Sequence, residues 1–174
     1  MKLDLAAVEE TAKHLYIQAL KILPPDIKDG FKRLDATETD PTAKSILATM
    51  IKNIDVAEDT TNLLCQDTGI PIYNILIGRG VEVDGHALKE AIRKGCERAT
   101  VEHPLRSSVV HPITRVNEQT SCGIKVPVIT IDFSDRDEFF EMEMIPKGSG
   151  SENGSFLKMC IPAEGVAGIK TFVV

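Results

Sequence analysis

Four consecutive residues, Cys65 to Thr68, place four different reactive groups side by side. They supply a thiol, an amide, a carboxylate and a hydroxyl, and the turn-forming Gly69-Ile70-Pro71 then leads into a mostly apolar run. A thiolate can bind a soft metal, and a carboxylate can transfer a proton. Because a cysteine ahead of a strand is more often a small core residue than a ligand, this segment alone indicates chemistry only weakly.

Two further polar segments carry groups that suit anions. Arg106, Ser107 and Ser108 place a guanidinium and two hydroxyls before an apolar stretch. Residues 146–155 form a glycine-rich loop, which can present backbone N–H groups to an anion, and Lys147 adds a positive charge. The loop lacks the G-x-x-x-x-G-K spacing of a phosphate-binding P-loop. The three segments together fit a site for a small carboxylic acid, and the alternative is that they are unrelated loops of an ordinary domain.

The composition is that of a soluble globular chain. Of 174 residues, 43% are apolar and 26% are charged, and the net charge is −6. No basic run and no interleaving of basic with aromatic residues occurs, which argues against a nucleic-acid binder. No apolar stretch approaches the roughly 20 residues of a membrane span, and the acidic residues near the start are unlike a signal peptide. We therefore expect a cytoplasmic protein whose partners are small molecules or other proteins.

The four cysteines are widely spaced and form no C-x-x-C pair that would indicate a zinc site or a redox dithiol. In a reducing compartment we expect free thiols or metal ligands, not disulfides. Their spacing alone identifies none of them as a ligand.

Periodicity predicts an α+β fold. Apolar residues at helical spacing predict helices over residues 5–23, 41–59 and 86–101, with a short helix or turn over 26–36 and helical segments at 156–159 and from 163 onward. Segments rich in β-branched residues or alternating in polarity predict strands over residues 70–77, 124–133 and 138–145, the last two as an antiparallel hairpin. We expect N-terminal helices packed on a small mixed or antiparallel sheet, with further helices.

Residues 1–174 show no repeat, low-complexity stretch or linker, which predicts a single domain. The helical pattern that begins at Ala163 is still running at Val174. Because no capping signal follows it, we expect the chain to be truncated at residue 174.

Three runs resemble, in the same order, the alpha region of class I fumarases and the related tartrate dehydratases. They are residues 63–69 (Leu-Leu-Cys-Gln-Asp-Thr-Gly), 105–110 (Leu-Arg-Ser-Ser-Val-Val) and 146–153 (Pro-Lys-Gly-Ser-Gly-Ser-Glu-Asn). The resemblance covers the chain from residue 5 to its end, and three motifs in register make it specific.

The resemblance implies a hydro-lyase with an oxygen-sensitive [4Fe-4S] cluster, held by three cysteines. Its fourth iron would act as a Lewis acid in the reversible elimination of water from malate. Cys65 matches a cluster ligand of this family. Gln66 and Asp67 match substrate-contacting positions, and Asp67 also matches a proposed acid/base participant.

The resemblance implies two further contacts with the dicarboxylate. Arg106 matches an arginine that binds a substrate carboxylate. Gly148, Ser149 and Gly150 match a loop that supplies backbone N–H contacts. Many relatives have a glycine-like residue where this chain has Ser149, so we expect a less close backbone approach there.

The resemblance places the rest of the machinery beyond Val174. The other two ligand cysteines, the first in a Cys-Pro-Pro context, and a catalytic histidine would all follow that residue. We therefore expect the other three cysteines to be ordinary thiols. Cys96 would lie on a helix face, Cys122 in a loop and Cys160 at a helix end. The four histidines are then not catalytic: His14, His86, His103 and His111.

We expect this chain to be inactive by itself and to lack the cluster. In the complete enzyme it would associate with the remainder of the alpha region and a beta region or subunit, in a homo- or hetero-oligomer. Two other interpretations stay open. One is a free-standing anion- or nucleotide-binding module that uses the Lys147 loop, and the other is an assembly domain whose apolar helix faces bind another subunit. The segment does not separate fumarate from tartrate as substrate.

Overall fold

The computed structural model describes residues 1–148, 150 and 153–174. The helices are α1 (Leu5–Lys21), α2 (Pro25–Thr37), α3 (Pro41–Asp59), α4 (Gly85–Glu102) and α5 (Gly165–Val173), and a 3₁₀ turn at Pro162–Glu164 precedes α5. The strands are β1 (Ile70–Arg79), β2 (Val128–Asp137) and β3 (Phe140–Lys147). The predicted α+β class is confirmed.

Three of the helices begin at an aspartate that caps the first turn. The carboxylates of Asp4, Asp40 and Asp84 each accept hydrogen bonds from the second and third N–H groups of α1, α3 and α4. These N–H groups have no partner within the helix, so the caps stabilise its start. Pro41 follows at the first position of α3, where a missing N–H costs nothing.

The sheet has the order β2-β1-β3, so β1 is its central strand. β1 runs parallel to β2, with Tyr73 opposite Ile129, and antiparallel to β3, with Tyr73 opposite Met144. Alternate residues of β1 are buried, among them Tyr73, Ile75 and Ile77. β1, which has more buried residues than β2 or β3, is therefore the strand at the centre of the sheet.

The predicted hairpin of the last two strands is wrong. β2 and β3 are consecutive in the chain, but β1 lies between them. Residues 138 and 139 cross the end of β1, where the Gly78 N–H donates to the Phe139 carbonyl at 2.6 Å and the Glu138 N–H donates to the Arg79 carbonyl at 3.0 Å. The short connection suggested direct pairing, yet burying β1 on both edges satisfies more of its backbone groups.

Helices α1 and α4 pack closely and share one apolar core with β1. A side chain at Gly95 of α4 would place its Cβ 2.8 Å from the Cβ of Ala12 on α1, so only glycine permits this approach. The Tyr73 hydroxyl donates to the Ala12 carbonyl at 3.0 Å and ties β1 to α1. The core contains the following buried residues: Val8, Ala12, Tyr16, Leu20, Tyr73, Ile75, Ile77, Leu88, Ala91, Ile92, Cys96, Ala99, Leu105, Cys122 and Met144.

A network of ion pairs joins α1 and α4 at the surface. Arg98 contacts Glu9 at 3.0 Å, Glu10 at 2.9 Å and Glu102 at 2.8 Å. Lys13 contacts Glu102 at 2.8 Å. Hydrogen bonds from Arg98 and Lys13 lower the pKa of Glu102 to about 2. The carboxylate therefore stays ionised at any ordinary pH.

The predicted helix over residues 156–159 is wrong. Residues 155–160 form no regular secondary structure, and Phe156 and Leu157 are 83% and 91% exposed. Because the described residues leave both side chains exposed, a helical arrangement here would gain no stabilisation from packing. Cys160 therefore lies on an exposed irregular segment and not at a helix end. No helix in the described part of the chain combines the length and apolarity needed to cross a bilayer.

Candidate active site

The turn that precedes β1 holds a thiol and a carboxylate together. The Gly69 N–H donates to Asp67 Oδ1 at 3.1 Å, and the Asp67 N–H donates to Cys65 Sγ at 3.4 Å. Cys65 is exposed and Asp67 is half-buried. The two bonds fix the carboxylate and the sulfur on adjacent parts of one turn.

Gly69 brings this turn against the end of β3. Its φ is +69°, and a Cβ there would lie 2.7–2.9 Å from the backbone of Lys147. A residue with a side chain would meet both strained backbone geometry and a steric clash. The close approach also carries Gly148 to Asp67, since a Cβ on Gly148 would lie 3.2 Å from Asp67 Oδ2.

Thr68 connects the turn to the Arg106 segment and to the core. The buried Thr68 hydroxyl donates to the Arg106 carbonyl. Its own carbonyl accepts a hydrogen bond from the Tyr16 hydroxyl of α1 at 3.3 Å. Burial raises the pKa of Tyr16 to about 12, so this phenol remains a donor at ordinary pH. The position of the Arg106 backbone is thus set by the same residue that follows Asp67.

Ser107 anchors the other side of the Arg106 backbone. Its carbonyl accepts from the Asn117 amide at 2.9 Å, and its hydroxyl accepts from the Ser121 N–H at 3.0 Å. Ser107 is buried whereas Arg106 is exposed. A well-fixed backbone therefore presents a solvent-facing guanidinium.

Two open clefts meet at Asp67. One, which we call the arginine cleft, has a volume of about 530 Å³ and is lined by Asp67, Gly69, Ile70, Arg106, Ser107, Ser108, Val110, Arg115, Asn117, Gln119 and Lys147. The other, the cysteine cleft, has a volume of about 340 Å³ and is lined by Ala19, Leu20, Leu64, Cys65, Asp67, Pro146, Gly148 and Gly150. Among the residues that the structure describes, Asp67 alone lines both.

The structure brings most of the sequence-predicted site residues to these clefts. Cys65, Asp67 and Gly148 share the cysteine cleft, and Asp67 shares the arginine cleft with Arg106. Gln66 is exposed and lines neither cleft. The prediction for Ser149 lies outside the described residues. The four histidines also line neither cleft.

Sequence reasoning missed three polar residues of the arginine cleft. Arg115, Asn117 and Gln119 line it from the loop that follows the Arg106 segment. The only signal in the sequence was the polar run of residues 117–120, which has no periodicity of its own. These residues add a guanidinium and two amides to the predicted set.

The donor set of the described residues fits one cluster ligand. Cys65 is exposed, and an N–H group already points at its sulfur, as is typical of cysteines that bind iron–sulfur clusters. Within residues 1–148, 150 and 153–174, no three His, Cys, Asp or Glu side chains form a metal-binding group. A complete cluster would require ligands from elsewhere.

Two other thiols are used for packing. Cys96 and Cys122 are buried, with the Cys122 sulfur 3.6 Å from the Arg93 carbonyl and the Cys96 sulfur 3.9 Å from the Ser121 carbonyl. A hydrogen bond with Cys122, together with burial, raises the pKa of the Cys96 thiol. The predicted helix-face and loop positions of these two thiols agree with the structure.

The chain is similar to proteins of one family over nearly its whole length. The model of the fumarate hydratase (Fumerase) family matches residues 9–174. A putative L(+)-tartrate dehydratase subunit alpha of Methanocaldococcus jannaschii is 39% identical over 170 residues, which are 96% of this chain and 59% of that protein. The L(+)-tartrate dehydratase subunit alpha of Escherichia coli K12 is 32% identical over 151 residues, which are 87% of this chain and 50% of that protein.

These matches confirm the resemblance drawn from the three motifs. The chain spans 50–59% of the length of these two curated relatives. Because the family match covers residues 9–174 and includes both clefts, the chain belongs to the fumarate hydratase (Fumerase) family.

Proposed function

We propose that this chain is the N-terminal part of the alpha region of a hydro-lyase that reversibly adds water across the double bond of fumarate to give (S)-malate. The observation that carries the proposal is the position of Asp67 at the junction of the two clefts. One cleft offers a thiol, the other offers guanidinium groups, and a carboxylate stands between them. That set of groups suits a metal-assisted reaction on a small dicarboxylate.

Arg106 and the loop at Gly148 bind the substrate in this proposal. A guanidinium pairs with a carboxylate through two parallel hydrogen bonds, which fixes the plane of the substrate as well as its position. Thr68 and Ser107 hold the Arg106 backbone, so the main chain does not have to reorganise when the guanidinium binds the substrate. The backbone at Gly148 approaches Asp67 closely, so the loop lies beside a second part of the substrate in this proposal.

Asp67 moves the proton. Hydration of fumarate places a hydroxyl on one carbon of the double bond and a proton on its neighbour. The reverse reaction removes both. The Asp67 carboxylate is oriented by the Gly69 N–H at 3.1 Å, which leaves the side chain in one defined position at the junction. A half-buried carboxylate within reach of the substrate fits the role of a general acid and base.

A [4Fe-4S] cluster, when bound, supplies a Lewis-acidic iron that polarises the oxygen groups of the substrate. Cys65 is the residue of this chain that would hold it. The remaining ligands come from the rest of the protein, so we propose that the chain alone does not turn over substrate. The names of the relatives, each an alpha subunit, support association with a beta subunit.

Tartrate is the second candidate substrate. Both relatives quoted above are named L(+)-tartrate dehydratases. Tartrate carries one more hydroxyl than malate, and the side-chain amide of Gln119 in the arginine cleft offers a partner for it, whereas the Asn117 amide already bonds to the Ser107 carbonyl and the Gln119 N–H.

The direct test is anaerobic purification of the full-length alpha region that contains this chain, together with the proposed beta subunit. Iron, sulfide and turnover are then measured. We expect hydration of fumarate or dehydration of L(+)-tartrate by the native protein. C65S should lose the cluster and all turnover. D67N should keep the cluster but lose turnover by about 100-fold or more. C160S, which changes an exposed thiol outside both clefts, is the matched control and should behave as the native protein does.

The outcomes separate the parts of the proposal. An unchanged cluster in C65S would remove that residue from the ligand set. Absence of turnover with both dicarboxylates would overturn the hydro-lyase assignment. A stable cluster with turnover in the 174-residue chain after anaerobic reconstitution would overturn the proposal that this chain alone does not turn over substrate. A Cys-Pro-Pro sequence shortly after Val174 in the native gene would support the proposed truncation, and its absence would contradict it.

A further inference from the structure

Two guanidinium groups in the arginine cleft have no partner among the described residues. Neither the Arg106 nor the Arg115 guanidinium makes a hydrogen bond or ion pair with any residue in 1–148, 150 or 153–174. Elsewhere the arginines near the core are satisfied. Arg98 pairs with three glutamates, and Arg93 donates to two backbone carbonyls at 3.0 and 3.1 Å. Two unpaired guanidiniums at one cleft indicate that an external anion is their partner.

A closed turn places Arg115 at the cleft. The Arg115 N–H donates to the His111 carbonyl at 2.9 Å, and the His111 N–H donates to the Val116 carbonyl at 2.8 Å. The His111 side chain accepts two further N–H groups within the same turn, from Ile113 and Thr114. Arg115 has a φ of +60°, which is uncommon for a residue with a side chain. The turn therefore holds Arg115 in a costly conformation, as is often seen where a side chain is positioned for a ligand.

The charges of the cleft favour a dianion. Among the described residues that line it, the cationic side chains are Arg106, Arg115 and Lys147, and the one carboxylate is Asp67. This positive site lies on a chain whose net charge is −6. A monocarboxylate would satisfy one guanidinium and leave the other without a partner. A dicarboxylate satisfies both.

We propose that Arg115 binds the second carboxylate of a dicarboxylate whose first carboxylate is bound by Arg106, and that it thereby selects dianions over monoanions. The identity of this dicarboxylate as substrate rests on the proposed function, whereas the selectivity for two carboxylates rests on the cleft alone. Arg115 is then a specificity-determining residue, and the turn from His111 to Val116 positions it.

The test is a titration of the isotope-labelled 174-residue chain with succinate and with propionate, followed by NMR. Succinate has two carboxylates and propionate has one, and neither contains the double bond or the hydroxyl that the reaction requires. We expect the wild-type chain to bind succinate more tightly than propionate. R115Q should weaken succinate binding by about 10-fold and leave propionate within about twofold. R115K should lie between the two, because it keeps the charge but loses the planar fork.

The control variant is R33Q, which removes an arginine of α2 that is exposed and lies outside the cleft. It should bind both ligands as the wild-type chain does. Equal losses in R115Q and R33Q would overturn the proposal, and so would equal binding of succinate and propionate, or binding of neither, by the wild-type chain. The backbone amide spectrum of each variant verifies the fold. Failure of the native enzyme to hydrate fumarate would overturn the proposed function without changing the succinate preference, so the two failures are distinguishable.

Discussion

The hydroxyl of Thr68 donates a hydrogen bond to the backbone carbonyl of Arg106. This bond joins two segments that are 38 residues apart in the chain and that carry the carboxylate and the guanidinium of the arginine cleft. Thr68 has no exposed surface, so water cannot replace its hydroxyl. The spacing between Asp67 and Arg106 therefore depends on one buried side chain that lines neither cleft.

Replacing Thr68 by valine should destabilise the chain. T68V has nearly the same shape but leaves the Arg106 carbonyl without its donor, which costs about 1–3 kcal/mol in the free energy of unfolding. T68S keeps the hydroxyl and should lose less. Urea denaturation of both variants measures the difference. If T68V were as stable as T68S, the hydrogen bond would make no net contribution.

Replacing Gly69 by alanine should be more harmful than replacing a glycine in open space. G69A combines a positive φ with a Cβ 2.7–2.9 Å from the Lys147 backbone, and we expect a loss of about 2–4 kcal/mol in stability. A Cβ added to Gly85, at the start of α4, would meet no atom within 4 Å, so G85A should stay within about 1 kcal/mol of wild type. Thermal unfolding of both variants provides the comparison. Equal melting temperatures would contradict the close approach of Gly69 to the Lys147 backbone.

The four thiols should differ in reactivity. Cys65 and Cys160 are exposed, whereas Cys96 and Cys122 are buried. Maleimide should therefore modify the first two in the folded chain and reach the other two only after unfolding, because the thiolate must be accessible to react. Mass spectrometry of the digested protein identifies the modified positions. Rapid modification of Cys96 in the folded chain would show that α4 does not bury it.

The surface network of α1 and α4 should make stability depend on pH in the acid range. The folded-state pKa of Glu102 is about 2, below the ordinary value of 4.5. A lowered folded pKa contributes stability that is full above pH 4.5 and is lost as the pH falls toward 2. E102Q should therefore melt at a lower temperature than wild type near neutral pH, and the difference should shrink between pH 4.5 and 2.

Glu97 provides the matched control for this titration, since it is exposed on the same helix and makes no ion pair within the described ranges of the chain. E97Q should follow the wild-type melting temperature at every pH. Added salt should reduce the effect of E102Q because exposed ion pairs are screened. A difference between E102Q and wild type that stayed constant down to pH 2 would contradict the assignment.

The elements that could be predicted from the sequence are those with local signals. The boundaries of α3 were predicted correctly because Asp40 and Pro41 mark its start and its apolar positions keep helical spacing. β1 was predicted because its apolar run follows a glycine and a proline. The partners of β1 could not be predicted in this way, because strand order depends on which strand gains most from burial on both edges.

In the candidate site, too, the residues that lie in local motifs could be predicted and those that do not could not. Cys65, Asp67 and Arg106 lie in short motifs, and the structure brings them to two adjoining clefts. Arg115 lies in no motif, and its orientation depends on a left-handed backbone conformation that is stabilised by hydrogen bonds within a loop. Residues positioned by such non-repetitive geometry leave no periodic trace in a sequence.

The central position of β1 has a consequence for how the chain folds as it is synthesised. β1 ends at residue 79, but its two neighbours begin only at residues 128 and 140. A growing chain therefore carries an apolar strand with both hydrogen-bonding edges open until much of the remaining sequence has left the ribosome. Such a strand is prone to pair with other chains. Fragments that end between β1 and β2 should therefore aggregate. Because β3 is the last strand in the chain and carries Lys147, the arginine cleft is complete only after β3 has been synthesised.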